Sequence, residues 1–269
     1  ITKHYCLLGG MPKVLSVYQA TNDLKSCQSV QAQILNTYRD DFRKYGKRIN
    51  VDLCETLFRK APNLIAKHFK YVDVDPDQSA KSIKPAVQAM KKAGLYHSIH
   101  NVAAQGLPLN SHILSKKFKL LFLDIGLIKN MARLDAELML ADDLSLVHLG
   151  KLTEQLVGQE LLALQETHFE PELFFWQRDK KSSTAELDYV IQLDSSIVPI
   201  EVKSGKTGRL KSLQLFLEET RLNPAVCDFG VKISKAQFGF DKTVLSVPFY
   251  MISELPRLIK SAKSYLKNV

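Results

Sequence analysis

The chain is 269 residues long, 45% hydrophobic and 24% charged, with a net charge of +9. That length buries a full core and fits two domains, and the composition is that of an ordinary soluble globular protein. It excludes a membrane span, because the apolar run from Lys119 to Ile128 is broken by Asp124.

Cys6, Cys27, Cys54 and Cys227 form no CxxC pair and no disulfide-like spacing, which points to a reducing, cytoplasmic setting. The seven histidines supply no HExxH zinc motif. Charge is uneven along the chain. Residues 1–135 carry 21 Lys and Arg against 10 Asp and Glu, whereas residues 136–269 carry 16 against 18. The basic excess belongs to the first half and suggests a polyanion, with DNA as the candidate partner. The chain begins at Ile1 rather than Met and is expected to be a piece of something longer.

In chain order, Gly9-Gly10-Met11-Pro12 predicts a turn opening a helix over Lys13 to Ala20. Asp23 to Lys44 carries Val30, Ile34, Leu35 and Tyr38 at helical spacing, with Gly46 as its stop. Ile49 to Arg59 and Asn63 to Phe69 read as short helices split by Pro62. Asp77 to Ala93 is another helix, with Ile83, Val87 and Met90 on one face and Lys81, Lys84, Lys91 and Lys92 distributed around it. Gly94 ends it, and Leu95 to Val102 alternates like a strand. Helices followed by a basic helix and a hairpin-like segment predict a winged helix-turn-helix, with those four lysines on nucleic acid. The plainer alternative is a helical module whose lysines are solvated.

From Lys116 the period changes. Lys119 to Asp124 reads as a buried strand, Gly126 to Leu134 as a short helix, and Leu152 to Gln165 as an amphipathic helix with Glu154 on its flank. Glu172 to Arg178 is a strand. Ala185, Leu187, Tyr189, Ile191 and Leu193 alternate with Glu186, Asp188, Val190 and Gln192, a strand with one largely apolar face. Asp194-Ser195-Ser196 is a turn, and Ile197 to Lys203 a second strand. A helix over Leu210 to Arg221, strands over Val226 to Ser234 and Thr243 to Met251, and a helix over Glu254 to Lys267 follow. The predicted class is α/β (α+β overall): a helical domain over 1–115, then a mixed sheet flanked by helices over 116–269.

Glu201 and Lys203 lie two residues apart and share a strand face; Asp188 lies beside them if the strands pair as a hairpin. Two carboxylates with an ammonium suit Mg2+ or Mn2+ and the hydrolysis of a phosphodiester. Asp188 followed by Glu201-x-Lys203 resembles the PD-(D/E)xK nuclease motif, with Leu187 where that family has proline. The bland alternative is a solvated strand face with a Glu–Lys pair.

The wider chain is similar to the C-terminal region, domain of unknown function 4143, of predicted prokaryotic AAA-type ATPases. The landmarks are Gly9-Gly10-Met11-Pro12, Tyr38 to Phe42, Lys81 to Leu95, Pro108-Leu109, Phe118 to Leu127, Glu154 to Leu161, Phe175 to Arg178, Glu186 to Val190 and Pro199 to Gly205. The resemblance implies an upstream ATPase domain that would use ATP, a winged-helix-like part and a restriction-endonuclease-like domain. Carried over residue by residue, its site is Asp188, Glu201, Lys203 and Glu154, with Asp188, Glu201 and Glu154 toward the metal.

Other residues compete. Gly205-Lys206-Thr207 matches only the end of a Walker A loop, whose first glycine would fall at Ile200, and reads as a decoy. Glu160 is an alternative helix carboxylate, Glu186 an outer acid, Arg178 a phosphate contact, Trp176 core, and His97 and His100 either phosphate contacts on the wing or plain surface residues. Two functions are expected: a metal-dependent nuclease, or an inactive DNA- or protein-binding regulatory region of an ATPase.

Overall fold

The computed structural model describes residues 2–45, 49–135, 147–178, 185–205 and 208–268. These fall into two compact units, one of residues 1–98 and 119–142, the other of residues 99–118 and 143–269. Helices dominate the N-terminal part, and a mixed sheet of parallel and antiparallel strands follows.

The first unit holds α1 (Thr2–Leu8), α2 (Pro12–Thr21), α3 (Leu24–Asp41), α4 (Val51–Arg59), α5 (Ala61–Leu64), α6 (Tyr71–Val74), α7 (Ala80–Lys92) and α8 (Ile125–Ala132). Four of them, α3, α4, α7 and α8, begin at a side chain that accepts the first free amides. Asp23 caps α3 through Lys25 and Ser26, Asn50 caps α4 through Leu53, and Ser79 caps α7 through Ser82. The helix expected over Asn63 to Phe69 does not form. Pro62 starts α5, the chain leaves it at Ile65 with Ala66 at a φ of 53°, and Ile65 and His68 bridge to Leu120 and Lys119 instead.

Asp124 organises one corner of this unit. It is buried, its Oδ1 accepts from Leu127 N at 2.9 Å to cap α8, and its Oδ2 accepts from Gly10 N at 2.7 Å. Gly9 sits at a φ of 72°, where a Cβ would lie 2.2 Å from Asp124 Oδ1. Glycine is therefore required on two counts: the left-handed backbone and the close carboxylate.

The strands are β1 (Tyr96–Val102), β2 (Ile113–Phe122), β3 (Leu173–Gln177), β4 (Glu186–Leu193), β5 (Ser196–Val202), β6 (Gly230–Ser234), β7 (Gly239–Phe240) and β8 (Val244–Pro248). The division between the units falls within β1 and β2. The spatial order is β2-β1-β3-β4-β5-β6-β8-β7, with β1/β3, β5/β6 and β6/β8 parallel and β3/β4, β4/β5 and β7/β8 antiparallel. The second unit also holds α9 (Val147–Ala163), α10 (Lys211–Glu219) and α11 (Leu255–Lys267). One core cluster joins Trp176, Leu187, Val190 and Ile197 to Leu213 and Phe216 of α10, with Trp176 and Phe216 edge to face at 5.2 Å.

Gly9→Ala is expected to destabilise the chain by roughly 2 kcal/mol, from left-handed strain and displacement of Asp124. Urea denaturation at neutral pH measures it; an unchanged midpoint would contradict the reading of this corner.

Candidate functional site

The antiparallel hairpin of β4 and β5 carries the charged residues. Its register runs from Leu193 opposite Ser196 to Tyr189 opposite Ile200. On its other side β4 pairs with β3 through a bulge. Phe174 faces Val190 and Trp176 faces Leu187, so Phe175 alone stands against Asp188 and Tyr189. This corrects the expected strict alternation: Leu187 and Val190, three residues apart, both enter the α10 core cluster. The extra residue breaks the period of two where Asp188 must be re-aimed.

Asp188 Oδ2 accepts from Val202 N at 2.7 Å, a side-chain bond to the main chain between Glu201 and Lys203. Glu201 is buried, with a side chain 7% exposed, and its Oε1 accepts from Lys203 Nζ at 2.5 Å. Lys203 N donates to Ile233 O of β6 at 2.9 Å, and its aliphatic stem lies against Gly208, where a Cβ would meet Cδ at 3.0 Å. Tyr189 is buried and its hydroxyl donates to Glu154 O of α9 at 2.8 Å. Asp188 thus ties into β5 while Tyr189 ties α9 to the same bulge.

Electrostatics bring Glu154 into the group. Burial alone would lower the pKa of Lys203. The hydrogen bond to Glu201 and the charges of Glu201, Asp188 and Glu154 outweigh it, and the pKa is raised above the ordinary 10.5. Lys203 is an ammonium at neutral pH, a donor rather than a base. Burial, then the charges of Glu154 and Asp188, push the Tyr189 hydroxyl well up, so it stays protonated and donating.

The donor set of Asp188, Glu201 and Glu154 is all carboxylate, which fits a hard divalent cation such as Mg2+ or Mn2+. Among the described residues no three or more His, Cys, Asp or Glu side chains gather as a ligand group. A cation here would therefore rest on Asp188 and Glu201, with Glu154 reached through water.

Trp176 is core. Arg178 pairs with Glu219 at 2.7 Å. Glu160 and Glu186 are half-buried, on α9 and at the start of β4. His97 and His100 lie half-buried on β1; burial and then the charge of Lys91 lower the pKa of His97. Lys206 and Thr207 of the Gly-Lys-Thr stretch lie outside the described residues. Lys81, Lys84, Lys91 and Lys92 are exposed on α7, opposite buried Ile83, Ala86, Val87 and Met90. Sequence reasoning missed Tyr189, taken as an apolar position of β4. The available signal was that a buried tyrosine needs a partner for its hydroxyl.

The family model described as Domain of unknown function (DUF8612) matches residues 1–138, just over half of the chain. The chain belongs to this family. A second model, Domain of unknown function (DUF4143), matches residues 149–250, which contain Glu154, Asp188, Glu201 and Lys203. The resemblance to that second domain is thus shown over 149–250, and the earlier landmarks, from Gly9 to Leu127, lie where DUF8612 matches. No curated protein and no solved structure matches the chain.

The raised Lys203 pKa has a definite sign. A group whose pKa is higher folded than unfolded adds stability that is fully present below the unfolded value, near 10.5, and lost as pH rises through the folded value. Lys203→Gln is expected to lower the urea midpoint at pH 8, and the gap from wild type should narrow only above pH 10.5. A gap that narrows between pH 7 and 9 would contradict the assignment.

Proposed function

We propose that the chain hydrolyses phosphodiester bonds of DNA at Asp188, Glu201, Lys203 and Glu154, as a PD-(D/E)xK nuclease-like domain. The observation that carries the reading is the β4–β5 hairpin end, where Asp188 accepts from the amide between Glu201 and Lys203 and Lys203 bonds Glu201, with the charge of Glu154 on α9 adding to the rise of the Lys203 pKa. Asp188 and Glu201 would hold Mg2+ or Mn2+, which when bound supplies Lewis acidity and a more acidic water. Lys203, as an ammonium, orients the attacking water or donates to the phosphoryl oxygens as negative charge builds on them. In the overall reaction the water oxygen bonds to phosphorus, one P–O bond breaks, and the leaving oxygen takes up a proton.

The surrounding assignments belong to the same proposal. α7 and the segment after it act as a winged-helix-like DNA contact through Lys81, Lys84, Lys91 and Lys92. An ATPase domain upstream, the one that uses ATP, completes the protein, and the setting is cytoplasmic. Two observations suit that setting: the four cysteines are buried free thiols, and among the described residues no helix is long and apolar enough to cross a membrane. A second reading, an inactive DNA- or protein-binding regulatory region, is favoured by the excess of acidic over basic residues across 136–269.

Incubating the chain with supercoiled plasmid and millimolar Mg2+ or Mn2+ tests the nuclease. Nicking that requires the cation, and that falls at least about a hundredfold in both Glu201→Gln and Lys203→Met, is expected. DNA binding without nicking under either cation would leave the second reading standing in its place. DNA capture itself should reside on α7. Wild-type affinity is expected to drop roughly a hundredfold between low and moderate salt, and a Lys84, Lys91 and Lys92 triple alanine variant should show a shallower salt slope by fluorescence anisotropy. An unchanged slope would make the helix a packing element with a solvated face.

A further inference from the structure

A cleft of about 580 Å3 opens in the first unit, bordered by α3, α4 and the end of α8. Arg39 of α3, Arg59 of α4 and Arg133 at the end of α8 line it. Each arginine sits in the last turn of its helix or just past it, where a cation meets the negative end of the helix dipole. That accounts for each one singly. It does not account for three guanidiniums from three helices facing one cavity.

Nor are they spent on their neighbours. Asp52 and Glu55 of α4 line the same cleft, and Glu55 lies one turn from Arg59. Among the described residues no ion pair joins the three arginines to either carboxylate. Arg39 Nη2 donates to Asn36 Oδ1 at 3.0 Å, a neutral partner that orients the exposed guanidinium. Three exposed arginines against two exposed carboxylates leave the cleft with a net positive charge, which favours an anion. Planar guanidinium forks match phosphate oxygens two at a time. Phe58, 5% exposed with its ring packed on Phe42 and Phe122, gives one wall an apolar edge, and the two carboxylates offer acceptors for hydroxyl or amino groups. The volume is that of a small-molecule site and too small for a duplex or a folded partner.

We infer that this cleft binds a small phosphate monoester with an aromatic body, of the nucleoside monophosphate class. The phosphate lies among Arg39, Arg59 and Arg133, and the body rests toward Phe58. The inference stands apart from the nuclease reading, because none of these residues belongs to that site.

Isothermal titration of the full chain with AMP, adenosine and inorganic phosphate tests it. AMP is expected to bind at one site, with adenosine and phosphate each at least about tenfold weaker. Arg59→Ala and Arg133→Ala should each weaken AMP about tenfold, with thermal unfolding unchanged. Arg59→Lys, which keeps the charge but not the fork, should fall between Arg59→Ala and wild type. No heat with AMP, equal affinity for phosphate and AMP, or undiminished AMP binding in both alanine variants would overturn the inference.

Discussion

The second unit depends on a hydrogen bond between a side chain and a main-chain amide: Val202 N–H to Asp188 Oδ2, 2.7 Å. The regular β4–β5 pairing is last registered at Tyr189 opposite Ile200, and β4 carries a bulge just beyond. Without a substitute acceptor, the Val202 amide at this end would cost about as much as a lost hydrogen bond. The Asp188 carboxylate takes that place. It thereby fixes the distance between the acid of one strand and the Glu-x-Lys of the next. Around it Lys203 folds back on Glu201, and the Tyr189 hydroxyl donates to the main-chain carbonyl of Glu154 in α9.

This arrangement separates the roles of the two nearest acids. Asp188 is half structural, since one oxygen already serves the main chain. Glu201 is buried and bonded to a lysine whose pKa is raised, so Lys203 stays an ammonium at neutral pH. In the proposed reaction Asp188 and Glu201 would hold the divalent cation, and Lys203, whose ammonium donates to Glu201 Oε1, would supply the charge that meets the phosphoryl oxygens. In the first unit Asp124 does a comparable job with other partners, holding the Gly9-Gly10 turn and the start of α8 on one carboxylate.

The sequence spoke most clearly where a side-chain rule is local. The amphipathic face of α7 follows from the spacing of Ile83, Val87 and Met90, and the helix is found there. The pairing of β4 with β5 was legible from two strand patterns around Asp194-Ser195. What was not legible is non-local. The bulge at Asp188 and Tyr189 arises from how β3 meets β4, and alternation along β4 gives no sign of it. The bond from Tyr189 to Glu154 O joins residues 35 apart in sequence. The stretch from Asn63 to Phe69 reads locally as a short helix set off by Pro62. Its bridges to Leu120 and Lys119 are contacts no window of local sequence contains.

The geometry of the site depends on Asp188 holding the end of the hairpin. Amide hydrogen exchange of Val202, followed residue by residue in wild type and Asp188→Ala, measures this most directly. The expected result is strong protection of the Val202 amide in wild type and at least tenfold faster exchange in Asp188→Ala, with the Val198 and Ile200 amides little changed. Equal protection of Val202 in both proteins would mean that another acceptor holds it, and the site would lose the contact on which its geometry rests.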